Sequence, residues 1–176
     1  MLAVPFVVRS ASADESGLPG EAPGAYLERV SRAKLDAVRA LGLGPVGGIL
    51  VADTIVVAPD GAILGKPRDD GDAHAMLARL AGATHEVSTR FLLADSQAGS
   101  PPLHAQTVAT RVTFRPLTGP ELTALVASGE GRDKAGAYAL QGRAAAFAER
   151  IEGSYTSVVG LPLSEVVVAM RALGWL

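Results

Sequence analysis

Residues 49–57, Ile-Leu-Val-Ala-Asp-Thr-Ile-Val-Val, place Asp53 in the middle of an otherwise apolar run. Its first part, read with the two preceding glycines as "GGILVAD", is a buried strand. Yet aspartate is depleted from strands and costly to bury ionised unless something pairs with it. Either the strand ends at Asp53 and the carboxylate caps the next turn, or Asp53 is held there for chemistry. The stretch continues through Pro59-Asp60-Gly61, a turn signal, into "AILGKP", so residues 47–65 predict a buried strand followed by a hairpin.

The neighbouring segments supply elements for that strand to pack against. Residues 24–41, "GAYLERVSRAKLDAVRAL", carry Leu27, Val30, Ala33, Ala37, Val38 and Leu41 at helical spacing. Lys34 falls on the same apolar stripe, an unusual place for an ammonium group. A second helix is predicted over 69–81, with Met76, Leu77 and Leu80 inward and Gly82 as its stop. "HEVSTRFLLAD" (85–95) and "AQTVATRVTFRPL" (105–117) read as strands around the solvent loop "SQAGSPP". Thr118 and Glu121 form a capping-box pattern that starts a helix ending near Gly129. "GRDKAGAYALQG" is a glycine-punctuated loop, "AAAFAERI" (144–151) a strand, and 162–173 a closing helix. At the start, "PFVV" (5–8) reads as a short strand before a polar loop. Helices and strands mix without an internal repeat, which predicts an α/β protein with a central sheet of mixed direction.

A length of 176 residues suits one domain over 1–176. The net charge of −2 gives no pull toward nucleic acid or an anionic membrane. With no cysteine, the chain has neither a disulfide framework nor a thiolate metal site. No apolar run approaches the roughly 18–20 residues of a membrane span, and Asp53 and Arg171 interrupt the best candidates. "MLAVPFVVRS" has no basic segment ahead of its apolar stretch, so no signal peptide is read and the expected location is cytoplasmic.

Several motifs are excluded by spacing. "GAILGKP" has three residues between its glycines and Pro67 after the lysine, whereas a phosphate-cradling Walker loop needs four and then Ser or Thr. His74, His85 and His104 have no partner at zinc-site spacing, and His85 reads as a strand-end residue. "DDGD" (69–72) suits the start of a helix. No Gly-x-Ser-x-Gly elbow is present. What remains is a set of acids and lysines: Asp14-Glu15 in a polar loop, Lys34, Asp53, Lys66 and Lys134. A structural Lys34–Asp53 pair would satisfy both buried charges. Alternatively the acids hold a divalent cation and the lysines an oligophosphate.

With those residues in view, the sequence resembles the Maf family of nucleoside triphosphate pyrophosphatases. "ADESGLPGEAPGAYLERVSRAKLDAV", "VADTIVV" with "ILGKP", "LAGATHEVSTR", "TRVTFRPLT", "DKAGAYALQG" and "IEGSYTSVVGLPL" follow in the family's order. The resemblance implies an elongated α/β, inosine-triphosphatase-like fold with a twisted mixed sheet flanked by helices, a cleft beside it, and a homodimer. It implies hydrolysis of a nucleotide's α–β phosphoanhydride with a divalent cation, Mg²⁺ or Mn²⁺. Carried over by position, Asp53 is the catalytic base and Glu15 a nearby acid, both close to the metal. Lys34 and Lys66 are the phosphate-side lysines, and Thr54 and Gln141 the specificity positions of the branch acting on dTTP and UTP. In the 7-methyl-GTP branch, glutamate stands in place of Gln141. The family opens with a strand, a Ser-x-Ser-x-Arg-Arg turn and a helix ahead of the counterpart of "LAVPFVV". The chain as written is therefore expected to be N-terminally truncated and weakly active. The alternative function implied is a nucleotide-binding or cell-division regulator with weakened catalysis.

Overall fold

The computed structural model describes residues 4–44 and 46–176. Helix α1, Pro23–Arg39, begins on a proline whose fixed φ and missing N–H suit a first helical turn. It buries Leu27, Val30, Ser31, Leu35 and Arg39. The apolar face thus turns on Leu35, while Ala33 and Ala37 lie at its half-buried margin. Leu41, expected on that face, lies past the helix end and is 48% exposed.

Strand β1, Ile49–Val57, runs straight through Asp53. It turns into the short β2, Ile63–Leu64, antiparallel with Val56 opposite Leu64 and Val57 opposite Ile63. The predicted hairpin is closed by Ala58 N–H donating to Ala62 C=O at 2.9 Å, with Gly61 at φ +83°. Helix α2, Asp70–Leu80, is capped by Asp69, whose carboxylate accepts the Asp72 N–H at 2.7 Å. The "DDGD" acids therefore serve the helix start, with Asp72 on Arg68 and Asp70 on Arg132.

Strands β3, Thr84–Ala94, and β4, His104–Phe114, follow as predicted. Helix α3, Gly119–Ser128, opens on the expected capping box, Glu121 accepting the Thr118 N–H at 2.8 Å. The Arg115 guanidinium, then the Thr118 N–H, pull the Glu121 carboxyl down to about 2. Strand β5, Ala148–Glu152, starts later than predicted, because the three alanines of "AAAFAERI", 144–146, close a tight 3₁₀ turn with Arg143 first. It runs antiparallel to β4, with Val112 opposite Ile151. Helices α4, Tyr155–Val158, and α5, Leu163–Ala172, complete the chain. The architecture is α/β: one five-stranded sheet in the order β2-β1-β3-β4-β5, with helices flanking it.

Residues 5–8 form no strand. Phe6, Val7 and Val8 are 82%, 68% and 77% exposed, and no ladder partner exists for them among the described residues. β-propensity needs a neighbouring strand to act through. No helix among the described residues is long and apolar enough to cross a membrane.

Two compact units divide the chain. The first takes in the described residues up to Asp53, with Arg90–Thr107 and Leu163–Leu176. Its core packs Leu35 of α1 against Ile49, Val51, Leu92 and Ala94. The indole of Trp175 lies so close over Gly48 that a Cβ there would stand 2.2 Å from the ring. Arg39 is buried as a cation, donating to the Asp95 and Ser100 carbonyls at 3.1 and 2.7 Å.

The second unit is Thr54–Thr89 with Val108–Pro162. Its core gathers Leu77 and Leu80 of α2, Leu122 and Leu125 of α3, Val87, Val112, Phe114 and Tyr138. Each side chain fully buried this way contributes about 1.5–3 kcal/mol. His85 lies within that unit at 2% exposure, its Nε2 2.8 Å from the Tyr138 hydroxyl and its ring edge-on to Phe114. His85 does stand at the strand end, second in β3, and is also a core residue. Burial brings its pKa down to about 4, so the ring is neutral at physiological pH.

Candidate active site

In the first unit α1 delivers Lys34 to Asp53. Asp53 is 8% exposed and sits inside β1, so it caps no turn. The Lys34 ammonium donates to its Oδ1 and also pairs with Glu15 Oε1 at 3.0 Å. The side chains grade outward, 9% exposed at Asp53, 23% at Lys34 and 40% at Glu15. Burial pushes the Lys34 pKa down, but hydrogen bonds to Asp53 and then Glu15 outweigh it, and the net shift is upward. Lys34 is held as a cation between two carboxylates.

Glu15 reaches this pair because its loop is strapped to α1. Arg29 grips Glu21 through both carboxylate oxygens at 2.7 Å and donates to the Ser16 carbonyl at 2.8 Å. Glu21 also accepts the Leu18 N–H at 3.2 Å, and the Tyr26 hydroxyl donates to the Glu15 carbonyl at 2.9 Å. Burial, then the charges of Asp53 and Glu15, raise the Tyr26 pKa and keep it a donor. Nothing in residues 14–21 signals this brace; only the i, i+3 pair Tyr26–Arg29 on one helix face hints at it.

Two carboxylates around one ammonium carry one net negative charge and offer oxygen ligands. Among the described residues no group of three or more His, Asp and Glu side chains is placed to hold a metal ion. A divalent cation here would take Asp53 and Glu15 from the protein and its other oxygens from elsewhere. That donor set fits magnesium, which commonly pairs one or two carboxylates with substrate phosphates.

The second unit holds Thr54, Lys66 and Gln141. Thr54 follows Asp53 on β1 and, by strand alternation, takes the other face of the sheet. Its hydroxyl lies 2.8 Å from that of Thr89, which in turn donates to the Ser157 carbonyl at 2.7 Å. Lys66 is exposed just after β2, and the Gly65 carbonyl beside it accepts the Gly136 N–H at 3.1 Å. That bond ties the Lys66 segment to the glycine-punctuated loop. There Lys134 pairs with Asp133 at 2.7 Å, and Lys134 first, then Lys66, hold the Asp133 carboxyl below its ordinary range.

Gln141 is exposed on a turn of this loop. Tyr138, three residues earlier, packs into the core of this unit, and Glu130 accepts the Arg143 N–H at 2.7 Å. A Cβ at Gly142 would stand 2.1 Å from Glu130 Oε2, so any larger residue there would displace that carboxylate. The expected residues therefore assemble in two groups, Glu15–Lys34–Asp53 in one unit and Thr54, Lys66 and Gln141 in the other.

The Maf-like protein family model matches residues 1–173. The dTTP/UTP pyrophosphatase of Burkholderia thailandensis is 48% identical over 174 residues, spanning 97% of this chain and 81% of its own length. The dTTP/UTP pyrophosphatases of Geobacter metallireducens and Geobacter sulfurreducens are 46% and 47% identical, again across 97% of this chain and 86% and 87% of theirs. A buried strand aspartate held by a helix lysine, an acidic loop strapped above it, and likeness along nearly the whole length agree: this chain belongs to the Maf family.

Proposed function

We propose that this protein is a nucleoside triphosphate pyrophosphatase that converts dTTP and UTP to the monophosphate and pyrophosphate. The observation that carries this reading is the buried Asp53 carboxylate ion-paired to Lys34, in a chain so similar to enzymes named for that activity. Water attacks the α-phosphorus, Asp53 takes the proton, the α–β anhydride bond breaks, and pyrophosphate leaves. Lys34 orients the carboxylate before substrate arrives and then shares its charge with phosphate oxygens, as does Lys66. Asp53 and Glu15 would hold Mg²⁺ or Mn²⁺, which when bound offsets phosphate charge and acidifies water. Thr54 and Gln141 read the pyrimidine edge, the amide of Gln141 offering both a donor and an acceptor.

On this reading residues 1–176 work as one nucleotide-processing domain, as a cytoplasmic homodimer acting on free nucleotides. Purified protein incubated with Mg²⁺ and a panel of nucleotides provides the test, with products separated by ion-exchange chromatography. UTP and dTTP should yield UMP and dTMP with pyrophosphate. Release of orthophosphate alone, or preference for 7-methyl-GTP, would overturn the assignment. Binding of UTP without turnover would favour a regulatory role instead. Light scattering reports the oligomer.

A further inference from the structure

The Thr54–Thr89–Ser157 chain has a direction. A hydroxyl carries one proton, and Thr89 spends its own on the Ser157 carbonyl at 2.7 Å. That carbonyl cannot return one. It also accepts the Gly160 N–H at 2.9 Å, so both its lone pairs are used. The 2.8 Å bond between Thr54 and Thr89 must then run from Thr54 to Thr89. Thr89 and Ser157 are both fully buried, so no water competes for these positions. Thr54 is half-buried, its proton is committed inward, and what its oxygen presents outward is lone pairs. Gly160 lies beside that oxygen: a Cβ built there would stand 3.9 Å away, in ordinary van der Waals contact.

Resting on the pyrimidine nucleotide reading above, we propose that Thr89 is a positioning residue that fixes Thr54 as a hydrogen-bond acceptor, and that this polarity selects uracil and thymine over cytosine. Uracil and thymine carry a proton on N3 and can donate to Thr54. Cytosine has a lone pair on N3, and its only edge donor is the N4 amino group one position further round the ring. A lone pair facing a lone pair is repulsive, and a polar group left unmatched in a site is penalised more than a missing contact. An isolated threonine could rotate its hydroxyl and accept either base. Thr54 cannot, because Thr89 holds its proton.

The experiment compares kcat/KM for UTP and CTP, and calorimetric Kd for UMP and CMP, in wild type, Thr89→Val, Thr89→Ser and Thr54→Val. Wild type should favour uridine nucleotides in both readouts. Thr89→Val frees the Thr54 proton and should lower the uridine-to-cytidine ratio about tenfold, the worth of one hydrogen bond. Thr89→Ser keeps the hydroxyl and should restore the ratio, whereas a packing role would leave serine as impaired as any cavity-making change. Thr54→Val removes the acceptor and should also compress the ratio; it does not disturb the buried Thr89–Ser157 bond, so it stands if Thr89→Val fails to fold. An unchanged ratio in Thr54→Val, or in a folded Thr89→Val, with UTP still cleaved, overturns this inference alone. A wild-type chain that neither cleaves UTP nor binds UMP overturns both this inference and the proposed function.

Discussion

Asp53 and Thr54 are consecutive residues on one strand, yet they head two unlike environments. Asp53 joins an ionic group in which Lys34 stands between two carboxylates. Thr54 joins a neutral relay of hydroxyls ending on a backbone carbonyl. Charge acts over several ångströms and tolerates rearrangement, which suits a site that must meet phosphates. A neutral hydrogen bond acts over one contact and carries a sign of donor or acceptor, which suits discrimination between bases. One strand thus carries both environments on consecutive side chains.

The ionic side should break hardest. Asp53→Asn keeps the shape of the side chain but is a far weaker base, and turnover should fall about 10²–10⁴-fold in a pyrophosphate-release assay, with the fold intact by circular dichroism. A rate near wild type would return Asp53 to a purely structural place beside Lys34.

Lys34→Ala leaves two carboxylates facing each other without a cation. The expected loss is about 3 kcal/mol in denaturant unfolding, near the low end for breaking a buried pair because Glu15 is 40% exposed. Added Mg²⁺ should restore part of it. The Lys34 pKa is raised in the folded state, so its contribution is complete below the unfolded value of 10.5 and lost as pH rises through the folded one. Wild type should therefore weaken in alkali more than the alanine variant does.

The neutral side carries its own pH signature. His85 is lowered from 6.5 to about 4, so the unfolded chain binds the proton first as pH falls. Stability should be full above pH 6.5 and decline by about 3 kcal/mol on the way to pH 4. Urea titrations across that window test this, and His85→Gln should flatten the slope while the hydroxyl of Tyr138 keeps a partner. Smallest is Gln141→Glu, which removes the amide donor from an exposed position. The preference for UTP over purine nucleotides should shrink several-fold to tenfold, read as a ratio of kcat/KM. Equal rates on all common nucleotides by the wild type would remove Gln141 from base recognition.

How far the sequence discloses this arrangement depends on the range of each interaction. Lys34 on an apolar stripe and Asp53 in an apolar strand are visible because helix and strand periodicity are local, and their meeting follows from having nowhere else to place either charge. The capping box of α3 and the turn at Gly61 are legible for the same reason. Thr89 gives no such sign. Its acceptor, Ser157, is 68 residues away, and a threonine in a strand is ordinary. His85 is equally mute, its partner Tyr138 lying 53 residues on. Residues 5–8 mislead in the opposite sense, having strand composition with nothing described alongside to pair with.

The chain contains a single tryptophan, and it is the one laid over Gly48. Trp175 belongs to the same unit as Lys34 and Asp53, while buried Tyr138 belongs to the other. The protein therefore carries its own optical label on one half only. Tryptophan emission should follow the fate of the ionic unit, and, in a Tyr26→Phe variant, near-ultraviolet tyrosine dichroism that of the hydroxyl-bearing one, which holds the two remaining tyrosines, Tyr138 and Tyr155. If the two signals shift at different denaturant concentrations, the ionic half opens as a separate cooperative event; if they coincide, the strands shared between the halves melt as one. No engineered fluorophore is required to see which.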